Sequence, residues 1–262
     1  MSDLEIRKGA INPSACLSEG WALIKPHYGI FLGMTIVLML IAFTLGFIPY
    51  VGQVINAIIS GPLLCGIYYA LIVKMRGEEV RFSMMFEGFS RFLSALFVTL
   101  VSSAPWLLLG AAAFFFVALN PAMSAGDNPA AGFPEIFFQQ FNIAIILSTI
   151  AAFLVSVVLQ ILLFFSLPLI ADRNLGFIDA VKLSVEGTIG NIGGIIVLFI
   201  LQFLVLLLGI LAFCIGFLFA LPIIYAANIV AYRSVFPGNQ PTFFNEPPRP
   251  DAYDTNYGTP QQ

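Results

Sequence analysis

Three acidic residues stand where a carboxylate could act on a polar group at a membrane surface. Glu19, Glu87 and Asp172 each lie at the edge of a long apolar stretch, where a general acid or base could reach a lipid headgroup. Catalysis also needs a nucleophile and an orienting group beside the base, and the sequence places neither near these residues. We therefore expect no catalytic residue, and an enzyme acting on lipid headgroups is the weakest functional interpretation.

The sequence contains no pattern of residues that could bind a metal ion or a cofactor. The one histidine is His27, and the three cysteines are Cys16, Cys65 and Cys214, far apart along the chain. This is not the spacing of a zinc site. Cys65 and Cys214 fall inside apolar stretches, where a thiol behaves as a small hydrophobic group. We expect no metal site, no cofactor and no cofactor-binding residue.

Uncharged polar residues are the remaining candidates for function inside the apolar stretches. Ionisable residues are costly in hydrocarbon and usually functional where they occur, but none lies in the middle of an apolar stretch here. Amide side chains do occur there, and they either hydrogen-bond between helices or line a path for an uncharged solute or a lipid. The sequence favours the hydrogen-bonding role. The amides are Asn56, Gln160, Gln202 and Asn228.

The composition indicates that the helices carrying these residues lie in a membrane. Of 262 residues, 60% are hydrophobic and 10% charged, and the mean hydropathy is +0.97. Soluble domains carry about 25% charged residues, so the polar groups here could not cover a surface in water. Lipid must be the solvent. The net charge of −3, without a basic cluster, excludes a nucleic-acid partner.

Apolar segments of spanning length occur six times. A helix rises about 1.5 Å per residue, so about 20 apolar residues cross the hydrocarbon. The last apolar run, 189–231, is about twice that length and predicts a turn at 209–212. Pro49 and Gly52 predict a tight turn that joins the first two spans as a hairpin. The predicted spans are 28–48, 53–75, 93–119, 142–170, 190–209 and 212–233.

These spans form one predicted membrane domain over residues 12–236, after a short N-terminal tail at 1–11. Residues 237–262 are rich in proline and poor in apolar residues, which predicts a disordered cytoplasmic tail. Aromatic side chains in this tail could anchor a protein partner. They are Phe243, Phe244, Tyr253 and Tyr257.

The basic residues predict an orientation. Cytoplasmic loops of membrane proteins are enriched in Lys and Arg. With six spans and a cytoplasmic N-terminus, all eleven Lys and Arg residues fall on the cytoplasmic side, and both termini are cytoplasmic. They are Arg7, Lys8, Lys25, Lys74, Arg76, Arg81, Arg91, Arg173, Lys182, Arg233 and Arg249.

A threefold pattern accompanies the spans. A short segment containing Glu-Gly precedes each odd-numbered span, and each even-numbered span holds a proline, which serves either packing or a site, with packing favoured. The predicted fold is therefore all-α, with six spanning helices as three hairpins, each preceded by a short cytoplasmic amphipathic helix. The recurring residues are Glu19-Gly20, Glu87-Gly88, Glu186-Gly187, Pro62, Pro168 and Pro222.

Each amphipathic helix has a predicted apolar face with a helical period. A predicted i, i+4 pair joins Glu87 to Arg91 on the polar face of the second. The apolar faces are Leu17, Trp21 and Ile24 in the first segment, Phe82, Met85, Phe86, Phe89 and Leu93 in the second, and Ile178, Val181 and Val185 in the third.

Several short motifs resemble a family of uncharacterised bacterial six-helix membrane proteins of the YciC-like kind. They are Leu167-Pro168-Leu169-Ile170-Ala171-Asp172, Phe177-Ile178-Asp179-Ala180-Val181-Lys182-Leu183-Ser184, Gly190-Asn191, and Pro222 followed by Ala231-Tyr232-Arg233. The chain is also similar to the membrane domain attached to some glycerophosphodiester phosphodiesterases, although no catalytic domain follows. The resemblance implies a six-helix fold in a bacterial inner membrane and implies no activity.

The sequence favours a non-enzymatic inner-membrane protein, acting as a scaffold, an interaction partner or an envelope-homeostasis factor. Its expected partners are membrane lipid and a protein bound through the tail or the surface helices, with a homo-oligomer left open. The alternative is a transporter or channel for an uncharged solute or a lipid.

The orientation predicts which side of the membrane a label reaches. A cysteine at Ala125, in a background without native cysteines, should react with an impermeant maleimide from outside intact cells. A cysteine at Thr255, in the tail, should react only after the membrane is opened. The reverse labelling pattern would contradict the orientation.

Overall fold

The structure, a computed structural model, describes residues 6–48, 51–119, 143–212 and 216–237. All regular secondary structure in these ranges is helical. Two short 3₁₀ helices, Lys25–His27 and Phe82–Arg91, accompany nine α-helices. The α-helices are α1 (Pro13–Ile24), α2 (Tyr28–Gly46), α3 (Val51–Met75), α4 (Phe92–Leu119), α5 (Ile143–Leu162), α6 (Ser166–Arg173), α7 (Phe177–Ile189), α8 (Ile192–Ala212) and α9 (Gly216–Val235).

Six helical stretches among the described residues are long and apolar enough to cross a membrane. This confirms the prediction of an all-helical, multi-pass membrane protein. In the first stretch, α1 continues into α2 through the 3₁₀ turn at Lys25–His27, and Pro26 within that turn has no N–H to donate. The six stretches are Pro13–Gly46, Val51–Met75, Phe82–Ala112, Ile145–Arg173, Ile192–Leu211 and Gly216–Val235.

Two of the spanning helices form the centre of the bundle. Within an 18-residue apolar segment of each spanning stretch, 61% of the residues are buried in α3 and 56% in α9. The corresponding fractions are only 17% in α8 and 11% in the stretch containing α4. The outer helices expose leucine and phenylalanine side chains such as Leu108 and Leu211. Such an apolar exterior suits a solvent of lipid chains, because the driving force that buries these side chains in water is absent there.

The fourth spanning stretch is one span, as the sequence predicts over 142–170, but its regular helix is interrupted by a break at residues 163–165. Helix α5 ends at Leu162 and α6 begins at Ser166. Pro168 accounts for the break, because its ring clashes with the carbonyl group four residues earlier, at Phe164, and it has no N–H to donate there.

Polar side chains of α7 satisfy the backbone groups that this break releases. The Ser184 hydroxyl donates to the Leu162 carbonyl oxygen at 2.8 Å and accepts from the Phe165 N–H at 3.1 Å. Thr188 Oγ1 donates to the Ile161 carbonyl oxygen at 3.2 Å. A broken helix in hydrocarbon requires such partners, because no water is present to replace them.

The other turn and proline predictions have mixed outcomes. In the last apolar run, α8 ends at Ala212 and α9 begins at Gly216, and the predicted turn was at 209–212. Pro62 and Pro222 stand inside continuous helices, unlike Pro168. Proline is also not confined to even-numbered spans, because α4 contains Pro105.

The segments before the odd-numbered spans bury part of the predicted apolar faces, such as Ile24 and Met85, together with residues outside those faces. In α1 the buried residues include Cys16 and Gly20, while Trp21 is 40% exposed. In α7 the buried residues are small ones such as Ala180, and Ile178 is 62% exposed.

The second of these segments, Phe82–Arg91, is a 3₁₀ helix, whose period of three residues replaces the predicted α-helical period. Its buried residues are Met85 and Gly88, while Phe86 is 49% exposed. The guanidinium of Arg91 donates to Asn174 at 2.9 Å and lies over the Tyr69 ring.

The glycines of the three Glu-Gly pairs explain these buried faces. A Cβ atom on Gly20 would lie 2.7 Å from the backbone nitrogen of Ala227, and one on Gly187 would lie 2.6 Å from the Phe236 ring. A Cβ atom on Gly88 would collide with the Pro62 carbonyl oxygen. Each glycine therefore allows a close helix contact that any side chain would prevent.

Replacing one of these glycines should destabilise the fold. Gly20→Ala adds a methyl group against the α9 backbone, and we expect a loss of about 1–3 kcal/mol in unfolding free energy. Gly29→Ala is the matched control, because a Cβ atom there meets nothing within 4 Å. Thermal unfolding in detergent measures both variants. Equal melting temperatures for the two would contradict the proposed contact.

Candidate functional site

A cavity of about 470 Å³ opens among the helices on one side of α3. It follows α3 from Gln53 to Tyr68, a length of about 22 Å at the helical rise per residue. Residues of α4, α5, α6, α8 and α9 complete the wall, and none of its lining residues within the described ranges is Asp, Glu, Lys, Arg or His. The wall therefore combines apolar side chains with uncharged hydrogen-bonding groups.

Three of the four predicted amides line this one cavity: Asn56, Gln160 and Asn228. The fourth, Gln202, is buried beside it, and its Nε2 donates to Asn228 Oδ1 at 2.7 Å. Asn228 Nδ2 in turn donates to the Tyr68 hydroxyl oxygen at 3.3 Å. The structure thus brings all four together, and Gln202 and Asn228 have the predicted role of linking helices.

Unlike Gln202 and Asn228, three amides on the cavity wall have no hydrogen-bond partner among the described residues. Gln53, Asn56 and Gln160 make no hydrogen bond to any residue in the part of the chain that the structure describes. An unsatisfied polar group at membrane depth costs free energy, because hydrocarbon offers no hydrogen bond in return. Gln53 and Gln160 are exposed and Asn56 is half-buried, so water or a polar molecule that enters the cavity can be their hydrogen-bonding partner.

The broken helix forms part of the same wall. Leu163 and Phe164 lie in the break between α5 and α6, Leu167 lies in the first turn of α6, and all three line the cavity. Irregular backbone at membrane depth is tolerated where it faces a cavity or is buried in protein. Transporters place such discontinuous helices at their binding sites.

The cavity ends before the arginine-bearing ends of α3, α6 and α9. Tyr68, Leu167 and Asn228 are its last lining residues toward those ends. Beyond them the side chains of Ile72 and Ile170 are at most 1% exposed. The cavity is therefore closed at this end, which we call the basic end because Arg76, Arg173 and Arg233 stand there.

A buried carboxylate ties the helices together at the basic end. The Asp172 side chain is only 6% exposed, and Arg76 Nη2 donates to its Oδ1 at 2.7 Å. The Tyr232 hydroxyl donates to Oδ2 at 2.8 Å. Arg233 and Arg173 approach Oδ2 at 3.6 and 3.9 Å. The sequence placed Asp172 and Arg173 at this helix end but did not indicate that Arg76 is the nearest partner.

The three predicted carboxylates do not form a common site. Glu19 is exposed on α1 and Glu87 is exposed on the 3₁₀ helix Phe82–Arg91. Among the described residues no hydrogen bond or ion pair joins either one to Asp172. No group of three His, Cys, Asp or Glu side chains within the described ranges could hold a metal ion. The aromatic residues of the tail and Cys214 lie outside those ranges.

Three parts of the site were not predicted from the sequence: the Gln53 amide, Tyr68 and the grouping of arginines around Asp172. Tyr68 was not predicted as a site residue because a tyrosine in an apolar helix is hard to distinguish from a core residue. The grouping of arginines around Asp172 was not predicted because, apart from the neighbours Asp172 and Arg173, these residues are 60 or more positions apart in the sequence. One sequence signal was present: each of the three even-numbered spans ends in an arginine, at Arg76, Arg173 and Arg233.

The fold and the cavity define an α-helical, multi-pass membrane protein with an uncharged polar cavity inside its helix bundle. Comparisons of the chain with protein-family models, with curated proteins and with solved structures found no match. The resemblance to YciC-like proteins therefore stays a prediction.

The hydrogen bond between Gln202 and Asn228 predicts a coupling between the two residues. In a double-mutant cycle with Gln202→Leu and Asn228→Leu, we expect a coupling energy of about 0.6–1.7 kcal/mol in thermal or denaturant unfolding. Thr44→Ala, which removes a hydroxyl bonded within its own exposed helix, should be additive with Asn228→Leu. Full additivity for Gln202 and Asn228 would contradict the bond.

Proposed function

We propose that the protein is a transporter that carries an uncharged amphiphilic molecule through its cavity. The unpaired amides of Gln53, Asn56 and Gln160 on one shared wall carry this proposal. They need hydrogen-bonding partners that hydrocarbon does not supply. Amides that served only to hold helices together would instead be bonded across helix contacts, as Gln202 and Asn228 are.

The chemistry of the wall indicates the class of cargo. The volume lies within the range of pockets that bind small molecules. Hydrogen-bonding groups such as Ser60 and Gln160 alternate with apolar groups such as Leu107 and Phe199. Without a charged residue on the wall, an ionic headgroup would find no counter-charge. A neutral polar group attached to an apolar body matches both kinds of surface.

Transport also requires the closed end of the cavity to open. The discontinuity between α5 and α6 supplies a place for movement, because Leu163 to Phe165 lie outside both helices. Discontinuous helices and alternating opening of two ends are common in transporters. We therefore propose that α6 moves relative to α5 when the basic end opens.

We further propose that the six spans form three hairpins around a pseudo-threefold axis. The contacts of the three preceding segments support this arrangement. The first, α1, packs on α9 through Gly20, and the second packs on α3 through Gly88. The third, α7, bonds to the α5–α6 break through Ser184. Each segment thus contacts an even-numbered span.

We place the protein in a bacterial inner membrane with the basic end in the cytoplasm. Contacts among the basic residues support one common side. Arg91 bonds to Asn174, next to Arg173, and the Arg7 N–H donates to the Val235 carbonyl oxygen, near Arg233. Gathering of Lys and Arg on one side is typical of the cytoplasmic face.

A neutral glycolipid tests the proposed transport. Vesicles containing the purified full chain and a glucosylceramide with a fluorescent acyl chain are exposed to dithionite, which quenches only the outer leaflet. With the wild-type chain, we expect quenching to extend to the inner leaflet. The double variant Asn56→Leu/Gln160→Leu should slow this about tenfold or more, because two hydrogen bonds of ~1 kcal/mol each are lost.

Thr44→Leu is the matched control for this experiment. It makes a similar polar-to-apolar change on α2, outside the cavity, and should leave the rate unchanged. If vesicles with the wild-type chain retain the same protected fluorescence as empty vesicles, the transport proposal is wrong. The scaffold interpretation would then be the better one.

A further inference from the structure

We propose that Arg76, Arg173 and Arg233, which we call the arginine cluster, form a binding site for a phosphate group at the basic end. The site is separate from the uncharged cavity and does not depend on the transport proposal. Its ligand chemistry is a phosphate oxygen carrying negative charge. Such a group belongs either to an anionic phospholipid or to free phosphate.

The first observation is the convergence of the three side chains. Each stands at or just beyond the end of a different helix, namely α3, α6 and α9, yet all three guanidinium groups lie within 4 Å of one carboxylate, that of Asp172. Side chains far apart in sequence are thus gathered at one point. Their exposed fractions of 29%, 21% and 22% leave each of them partly accessible.

The second observation is an uncompensated charge. Three guanidinium groups and one carboxylate leave an excess of two positive charges. No other carboxylate lies within ion-pair distance of the cluster in the described part of the chain. One guanidinium suffices to neutralise Asp172, so the second and third add mutual repulsion in a partly desolvated place. An anion beside them would remove that repulsion.

The third observation is the number of unused donors. Each guanidinium carries five N–H groups, and the bonds inside the cluster use few of them. Arg76 donates through Nη2 to Asp172, and Arg173 donates through Nε to the Tyr232 hydroxyl oxygen at 3.3 Å. Arg76 Nε is buried and has no hydrogen-bond partner among the described residues. Guanidinium groups bind phosphate oxygens in pairs of parallel hydrogen bonds.

Asp172 has a positioning role in this site. Bonded to Arg76 and Tyr232, it fixes the guanidinium of Arg76 and holds α3, α6 and α9 together. Fixing a receptor before the ligand arrives reduces the entropy lost on binding. Arg76 and Tyr232 already supply the two close hydrogen bonds that join these helices through Asp172, whereas Arg233 and Arg173 stand farther from it, at 3.6 and 3.9 Å.

The position of the cluster relative to the membrane also favours a phosphate. It lies at the ends of three spanning helices, at the level where lipid phosphates begin. Basic pockets between spanning helices bind anionic lipid headgroups on the cytoplasmic side of membranes. A lipid phosphate could approach the three partly exposed side chains along the bundle surface, and a free phosphate could approach them from water.

Titration of the purified full chain in detergent tests this proposal. The probes are a short-chain phosphatidylglycerol, inorganic phosphate, and a short-chain glycolipid without phosphate, at constant ionic strength. Binding is followed by the melting temperature and by native mass spectrometry. We expect phosphatidylglycerol to raise the melting temperature through the arginine cluster. Any rise caused by the glycolipid should come from the uncharged cavity and should be unaffected by substitution of the arginines.

Variants locate the binding. Arg233→Gln and Arg173→Gln should each weaken phosphatidylglycerol binding about tenfold, and Arg233→Lys should restore part of it. Arg81→Gln is the matched control, because Arg81 is exposed at the start of the 3₁₀ helix and outside the cluster. It should bind like the wild-type chain. Arg76 is left intact because its loss would leave Asp172 without its closest partner.

The binding results distinguish a general phosphate site from a lipid site and from no site at all. Binding of phosphatidylglycerol and of inorganic phosphate supports a general phosphate site, and binding of phosphatidylglycerol alone supports a lipid site. Failure of both to bind overturns the proposal. Equal weakening by Arg81→Gln and Arg233→Gln would also overturn it, because the attraction would then belong to the whole basic surface. The glycolipid transport assay is independent of all these outcomes.

Discussion

The absence of water from the bilayer interior governs this structure, because every polar group there needs a partner from the chain or from a bound molecule. The chain supplies such partners to the backbone at the break between α5 and α6, whereas the buried hydroxyls of Ser156 and Ser166 have none among the described residues. Ser184 provides both a donor and an acceptor at the break between α5 and α6. Thr99 Oγ1 lies 3.0 Å from the Ala57 carbonyl oxygen across the α3–α4 contact. The amides of Asn56 and Gln160, to which no described residue is bonded, can bind water or a polar molecule in the cavity.

The same rule explains the two ends of the cavity. Toward the basic end, the chain of Gln202, Asn228 and Tyr68 pairs its polar groups internally, and apolar packing and the buried Asp172 follow. Along the rest of α3, the polar groups remain free. A site with paired groups at its closed end and unpaired groups along its wall is suited to receive a neutral polar molecule and to hold it away from the basic end.

Composition and apolar length were enough to predict the all-helical membrane fold, because about 20 apolar residues per crossing is a local property of the sequence. The break before Pro168 was harder to predict from the sequence. Pro62 and Pro222 have the same local signal yet leave their helices continuous. The apolar faces of α1 and α7 were predicted from their helical period, but the close contacts at Gly20 and Gly187 were not, because they depend on residues distant in sequence. Four amides of the site were predicted from their rarity in apolar helices, and Gln53 was not, because it stands at the start of its predicted span. The arginine cluster depends on contacts between distant positions, which one sequence does not reveal.

The central claim is that the cavity holds an uncharged polar molecule on its free amides. An experimental structure of the chain in lipid nanodiscs prepared from native membranes tests it most directly. We expect density within the cavity, with a polar atom about 3 Å from the side-chain amides of Asn56 and Gln160. A collapsed cavity, with these two amides bonded to neighbouring helices, would contradict the claim.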